Sequence, residues 1–203
     1  VKDSGRCRSC YAFATTGVLE GLHALTTGKL VTLSEQNIID CSVPYGNRAC
    51  SGGSVETSLM YVIDSGGLDT DTYYPYKERQ YLCKFSKKYI AGKCTGMIKI
   101  QKGRESDLEI AVATFGPVTA VVDSRHNTFQ FYAGGVFLEP TCSTTKLTQS
   151  VLIIGYGKTR HGREYWILKN SWGTAWGMDG YMLMARNLNN HCGIASRALY
   201  PSS

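Results

Sequence analysis

The apolar pattern of this chain changes character once along its length, from helical spacing to short strand-like runs, and that change limits the folds open to it. From Ser9, a residue type favoured at N-caps, the stretch to Leu25 places Phe13, Gly17, Val18, Leu22 and Leu25 at helical spacing, and Gly28 closes it. Few of its sides are polar, which predicts a helix buried against two neighbours. Ser34–Cys41 predicts a short second helix and Ser54–Ser65 a third, ended by Gly66-Gly67. Asp71–Tyr81, rich in tyrosine around Pro75, predicts an ordered loop. A further helix over Ser106–Phe115 ends at Gly116-Pro117. Strand-like runs follow at Val118–Val122, Val136–Leu138, Val151–Tyr156, Tyr165–Lys169 and Tyr181–Ala185, separated by glycine-rich turns. The order predicts an α+β protein of two lobes. The N-terminal lobe is helical, the C-terminal lobe has the strand spacing of a small barrel or sandwich, and a cleft between them is where sites tend to lie.

A chain of 203 residues can bury a large core as one domain or two small ones. Its 22 basic and 16 acidic residues give a net charge of +6, and the charges are scattered. The nearest thing to a basic run, Lys84–Lys93 with acids nearby, reads as a solvated face with a weak preference for anionic partners. It does not form the aromatic-interleaved basic stripe of a nucleic-acid binder, so no nucleic-acid partner is expected. No window of 18 apolar residues exists, so no membrane span is expected. The chain opens on Val1-Lys2-Asp3 and not on a basic-then-apolar signal, which reads as a trimmed or late start. Eight cysteines suit an oxidising compartment, and the expected location is secreted, extracellular or lysosomal. Their spacing is too irregular for zinc and the four histidines are scattered, so no metal and no cofactor are expected.

The motif with chemistry in it is Gly5-Arg-Cys-Arg-Ser-Cys-Tyr-Ala-Phe13. Cys7-Arg8-Ser9-Cys10-Tyr11 resembles the nucleophile signature of the papain-like cysteine peptidases at every position except Arg8, where that signature has Gly. The resemblance extends over the whole chain. Leu33-Ser-Glu-Gln-Asn37, Asp40-Cys41, Cys50-Ser-Gly-Gly53, Tyr74-Pro-Tyr76, Gly155-Tyr-Gly157, Trp166-Ile-Leu-Lys-Asn-Ser-Trp-Gly173 and His191-Cys-Gly-Ile-Ala195 are similar in order and spacing to the cathepsin L branch. The resemblance implies one two-lobed papain-like α+β domain over residues 1–203, with a helical lobe to about residue 105 and a β-barrel-like lobe from about residue 106. It also implies that the short N-terminal segment and the propeptide of such enzymes are absent here. Three bridges are implied, Cys7–Cys50, Cys41–Cys83 and Cys142–Cys192, with Cys10 and Cys94 outside them.

By the same resemblance Cys10 is the nucleophile, placed at a helix N-terminus whose dipole favours the thiolate. Arg8 adds a nearby cation or obstructs the substrate backbone. The substrate-binding positions are Gly52 and Gly53, which offer backbone to an extended peptide, with Ser54, Val55, Val121, Leu147, Ser150 and Arg197 lining a side-chain pocket. Arg197 would favour an acidic group or plug that pocket. Asn170 is the residue that orients the family's histidine, and Trp172 shields the pair.

The histidine itself is not there. In Leu147-Thr148-Gln149-Ser150-Val151 its position is held by Gln149, which has no titratable proton near neutrality. Ser4 stands where the oxyanion-hole Gln is expected. His23, His126, His161 and His191 lie in contexts that read as surface or internally satisfied histidines. Two changed catalytic positions point to a cathepsin-L-like pseudoenzyme that binds a peptide, protein ligand or partner protein. The alternatives are a working secreted or lysosomal cysteine endopeptidase with a non-standard base, and a thiol-reactive protein without turnover.

Overall fold

The computed structural model describes residues 1–203, which divide into two compact units. One comprises Ser4–Ile98 with Tyr200–Ser203; the other comprises Val1–Asp3 with Lys99–Leu199.

The first unit holds helices α1 (Cys10–Thr27), α2 (Glu35–Cys41) and α3 (Val55–Ser65), and a two-stranded antiparallel ribbon of β1 (Leu68–Asp69) and β2 (Ile90–Gly92). Serines start two of the helices by accepting a backbone N–H three residues on: Ser34 Oγ from Asn37 N at 2.9 Å and Ser54 Oγ from Thr57 N at 3.0 Å. Glycines end two of them in the left-handed region, Gly28 after α1 and Gly66 after α3. All three helices pack on one another around Tyr11, Leu19, Leu33, Ile38, Ile39, Leu59, Val62 and Leu68. Burial of α1 is confined to its first half, Tyr11–Thr16 with Val18 and Leu19, whereas Leu25 is 65 % exposed. The periodicity that gave Leu25 a core position therefore outruns the neighbours available to cover it.

The second unit holds α4 (Glu105–Phe115) and α5 (Asn127–Gln130), with β4 (Val118–Val122), β5 (Val136–Phe137), β6 (Gln149–Lys158), β7 (Glu164–Lys169) and β8 (Tyr181–Ala185). Two further strands, β3 (Gly96–Lys99) and β9 (Leu199–Ser202), lie where the chain passes from one unit to the other. The strand order is β3-β9-β4-β6-β7-β8-β5. The first and last strands of that order do not pair, so the sheet is open and does not form a closed barrel. A two-residue β5, paired in parallel with β8 alone, is too short to close it.

Helix α4 packs against β4 and β6, and the buried side chains of this unit include Leu108, Val118, Val122, Phe129, Ile153, Trp166, Leu168, Met182 and Met184. Two buried polar groups brace this core. Glu105 Oε1 accepts from Trp166 Nε1 at 2.9 Å, and Arg186 lies over the rings of Tyr156 and Trp166 while reaching Glu109. The structure contains three disulfides, Cys7–Cys50 and Cys41–Cys83 in the first unit and Cys142–Cys192 in the second. Cys94, outside them, is buried, and burial pushes its thiol up to about 11.

Candidate active site

The candidate site residues fall into two groups, one in each unit. The first is built around Cys10, the opening residue of α1, where unsatisfied backbone N–H groups give the helix end a partial positive charge. The segment leading into it is held by the Cys7–Cys50 bridge and by Arg8 N donating to Cys50 O at 3.2 Å. Tyr76 Oη donates to Ser4 O at 2.6 Å and lies 3.0 Å from Ser9 Oγ. Tyr76 thus ties the backbone at Ser4 and the side chain of Ser9, on either side of the loop that delivers Cys10. Ser4 is buried, whereas Arg8 is exposed. The Arg8 guanidinium is therefore in solvent, where its charge is screened.

Tyr11, one residue after Cys10, connects the helix start to the glycine loop. Its Oη donates to Ala49 O at 2.8 Å. Burial, with the Cys10 thiol as a further contributor, holds this phenol well above its usual range, so it stays a donor. The loop that follows ends on Gly52, whose φ of +113° is a region L side chains avoid. At Gly53 a Cβ would sit 2.5 Å from Asn47 Oδ1 and 2.9 Å from Tyr11 Cε2, so only hydrogen fits. Asn47 is 2 % exposed; its Oδ1 accepts from Ser54 N at 2.9 Å, and its Nδ2 reaches Ser42 Oγ at 2.9 Å and Ser58 Oγ at 3.0 Å. Ser54 itself is spent on capping α3, and Val55 is buried beneath it.

The second group lies at the start of β6 and the end of β7. Register places Gln149 opposite Val122 and Ser150 opposite Val121. Gln149 Nε2 donates to Asn170 Oδ1 at 2.9 Å, with Ser171 Oγ at 3.4 Å as a weaker second acceptor. Asn170 Oδ1 also accepts from Ser171 N at 2.8 Å, and Asn170 N donates to Gly180 O at 3.1 Å. Asn170 Nδ2 is buried without a partner. Gln149, Asn170 and Ser171 are all at least 94 % buried. Trp172 packs edge-on against Phe129 and Trp176, with centroids 5.4 and 5.3 Å apart. Of the pocket positions in this unit, Ser150 is buried, Val121 and Leu147 are half-buried, and Arg197 is exposed. Leu147 packs on Gly193, where a Cβ would lie 2.4 Å from Leu147 Cδ2.

Each histidine is accounted for by its own surroundings. His191 is buried and its Nε2 accepts from Glu139 N at 3.0 Å, which requires a neutral ring. Its pKa is lowered by burial, against the opposing pull of Glu105 and Glu139. His126 Nε2 lies 3.2 Å from Asp123 Oδ2. His161 is exposed beside Arg160, and His23 is half-buried on α1. Asp123, His126 and Cys142 bring three donor atoms within 4.8 Å, but Cys142 is oxidised in a disulfide. The carboxylate of Asp123 is already shared among Arg125, His126 and Ser143 N. Burial opposes its ionisation, and these bonds outweigh burial and hold the acid well below its usual range. The trio therefore does not fit a metal ion.

Asn47, Tyr76 and Ser171 were not singled out by sequence reasoning. Tyr76 and Ser171 sit inside motifs that carry the family resemblance, which was their available signal. Asn47 had none, because a buried Asn is recognised by the partners it satisfies.

A family model described as papain family cysteine protease matches residues 1–202. A silicatein of Petrosia ficiformis is 52 % identical over 202 residues, and a cathepsin L-like peptidase of Aedes aegypti is 49 % identical over 201. These cover 100 % and 99 % of the chain, which in turn spans 59 % of the length of each relative. The solved structure of digestive procathepsin L 3 from the larval midgut of Tenebrio molitor superimposes with a TM-score of 0.96 at 43 % identity, over 100 % of this chain and 66 % of the other. With the family match running almost end to end, on a papain-like fold of helices and open sheet, this chain belongs to the papain family of cysteine proteases, close to cathepsin L.

Proposed function

We propose that this chain is a cathepsin-L-like peptidase homologue whose proteolysis is lost or strongly reduced, and which acts by binding. The observation that carries the reading is the identity and bonding of Gln149: its N–H is committed to Asn170 Oδ1, and its remaining polar atom is an amide oxygen. An amide oxygen accepts a hydrogen bond but takes no proton near neutrality. Cys10 then has Gln149 where the family has the base that removes its proton. A thiol without such a base is only a few per cent thiolate at pH 7.

The acid half of the cycle suffers as well, since an amine leaves only when protonated. Loss of one general acid–base group removes about 10²–10⁴ in rate, and in a tightly coupled triad the loss reaches roughly 10⁶. Ser4, in place of a longer amide side chain, removes an oxyanion donor worth about 10²–10³ more. The ligand expected is a peptide or protein segment laid along the Gly52–Gly53 backbone, and a partner protein fits the same role. Three disulfides and the digestive origin of a solved relative support a secreted or lysosomal setting. The names silicatein and cathepsin L among the relatives support the view that one scaffold carries different roles.

The test is alkylation of the folded protein with iodoacetamide across pH, with mass spectrometry locating the adduct and a fluorogenic dipeptide-amide assay alongside. Slow labelling of Cys10 with an ordinary thiol pH profile and no cleavage is expected. Cleavage abolished by one equivalent of label at Cys10 would overturn the reading and require a substitute base.

A further inference from the structure

In the first unit two tyrosines are placed for chemistry on their own rings. Tyr73 and Tyr89 are stacked face to face, with ring centroids 3.6 Å apart and planes within 16° of parallel. Aromatic pairs prefer offset or edge-on packing with centroids about 4.5–7 Å apart, so this contact is closer and flatter than ring packing alone favours. Both rings reach solvent: Tyr73 is 40 % exposed and Tyr89 is half-buried.

The backbone on either side of the stack is fixed. Thr70 N donates to Tyr89 O at 3.1 Å, and Asp69 pairs with Ile90 in the β1–β2 ribbon. Tyr74 N donates to Thr70 O at 3.0 Å, and Ser86 N donates to Asp69 Oδ2 at 3.0 Å. Two phenols are thus held against each other by bonds that neither ring makes. Other tyrosines are placed differently. Tyr61 and Tyr74, met edge-on by Tyr45 and Tyr73, are buried, and Tyr74 spends its hydroxyl on Asp40 Oδ2 at 2.7 Å. Tyr81 is 41 % exposed, but the group over its ring is the Arg79 guanidinium, which has no phenol to couple.

We propose that Tyr73 and Tyr89 are an oxidative modification site, joined into an intramolecular dityrosine by a one-electron oxidant such as a haem peroxidase with hydrogen peroxide. Each phenol gives up one electron and its hydroxyl proton, and the two radicals couple through ring carbons ortho to oxygen. The ortho hydrogens then pass to the phenolic oxygens as both rings regain aromaticity. In sum, two phenols and one hydrogen peroxide give one biphenol and two waters. Holding the partners in contact turns a bimolecular coupling into a unimolecular one. In the product the rings are joined edge to edge, so the stack swings open, and the solvent side of Tyr73 leaves room for that. The bond ties the turn that carries Tyr74 and Tyr76 to β2, in a unit already bridged at Cys7–Cys50 and Cys41–Cys83. Like a disulfide, it restricts the unfolded chain. The disulfides also support an oxidising setting, where such oxidants act. This chemistry is independent of whether Cys10 supports turnover.

The experiment treats dilute intact protein with a haem peroxidase and hydrogen peroxide, isolates the monomer, and maps cross-linked peptides by mass spectrometry. A peptide pair joining Tyr73 to Tyr89, lighter by two hydrogens than its parts, is expected. Y73F and Y89F, which keep a ring in the stack and remove one phenol, should each lower the monomer's dityrosine fluorescence about tenfold or more. Y81F, which removes a phenol of similar exposure, should lower it by less than about twofold. Unfolding in urea before treatment should remove the preference for this pair, because the stack is then gone. Dityrosine that is absent, found only between molecules, mapped to other tyrosines, undiminished in Y73F and Y89F, or equally selective in urea overturns the proposal.

Discussion

Gln149 Nε2 and Asn170 Oδ1 are 2.9 Å apart, in a pair of side chains buried to 94 % and 96 %. The Asn oxygen is thus already aimed at the side-chain N–H of residue 149. An imidazole at position 149 would find this acceptor waiting for one ring nitrogen, leaving the other as a base. Gln149→His should therefore raise kcat/KM for a fluorogenic dipeptide amide by about 10²–10⁴. Adding Cys10→Ser should abolish the gain. If Q149H gives nothing, the same substitution with Ser4→Gln is the next arm, and a gain of about 10²–10³ over Q149H would assign the deficit to the oxyanion donor.

The glycine loop should be intolerant of a single methyl. Gly53→Ala places its Cβ against Asn47 Oδ1 and Tyr11 Cε2, and overpacking of this kind costs about 1–3 kcal/mol. Denaturant unfolding measures it. Because one of the two clashing atoms belongs to Asn47, the cost of G53A should shrink in an Asn47→Ala background, and additive losses would show that Tyr11 alone sets it.

His191 makes stability depend on acid. Its folded pKa lies below its unfolded value because burial disfavours the charged ring. Above the unfolded value of about 6.5 the ring is neutral in both states and its contribution is complete. As pH falls below that value the unfolded chain takes up a proton that the folded protein resists, and stability drops until the folded pKa is reached. His191→Gln keeps an acceptor for Glu139 N and should flatten the fall of Tm below about pH 6.5. An unchanged slope would assign the acid sensitivity to another group.

The Cys142–Cys192 bridge closes a loop of sequence separation 50 in the second unit. Replacing both cysteines by Ala should cost about 2–4 kcal/mol, since the unfolded chain regains the freedom the bridge removed. Guanidinium unfolding of the double variant gives the figure. A loss below about 1 kcal/mol would mean that Asp123, which already fixes Ser143 N at 2.9 Å and Arg125, holds this region without the bridge.

The helices of the first unit were legible because their ends are local. Ser34, Ser54, Gly28 and Gly66 act through bonds spanning three or four residues, so the residue type and the next turn suffice to place them. The strands were only partly legible. Val118–Val122 and Tyr181–Ala185 have the bounds their apolar runs imply, but β6 starts two residues earlier, at Gln149. Strands β1, β2, β3 and β9 were not foreseen. Each has two to four residues, too few to display a period, and each exists because a distant segment pairs with it.

By itself the sequence determined the chemical inventory: a cysteine at the first turn of a helix, an asparagine after a strand, and an amide side chain at position 149. These are facts of residue identity and order, and folding does not change them. Tertiary structure alone decided how that inventory is used. Gln149 and Asn170 are 21 residues apart, and the antiparallel register of β6 and β7, with Leu152 opposite Lys169, brings them together. The open sheet, the exposure of Leu25 and the burial of Asn47 against Gly53 were settled in the same way. Each depends on which distant surfaces meet, and that free energy is shared among partners no single segment contains.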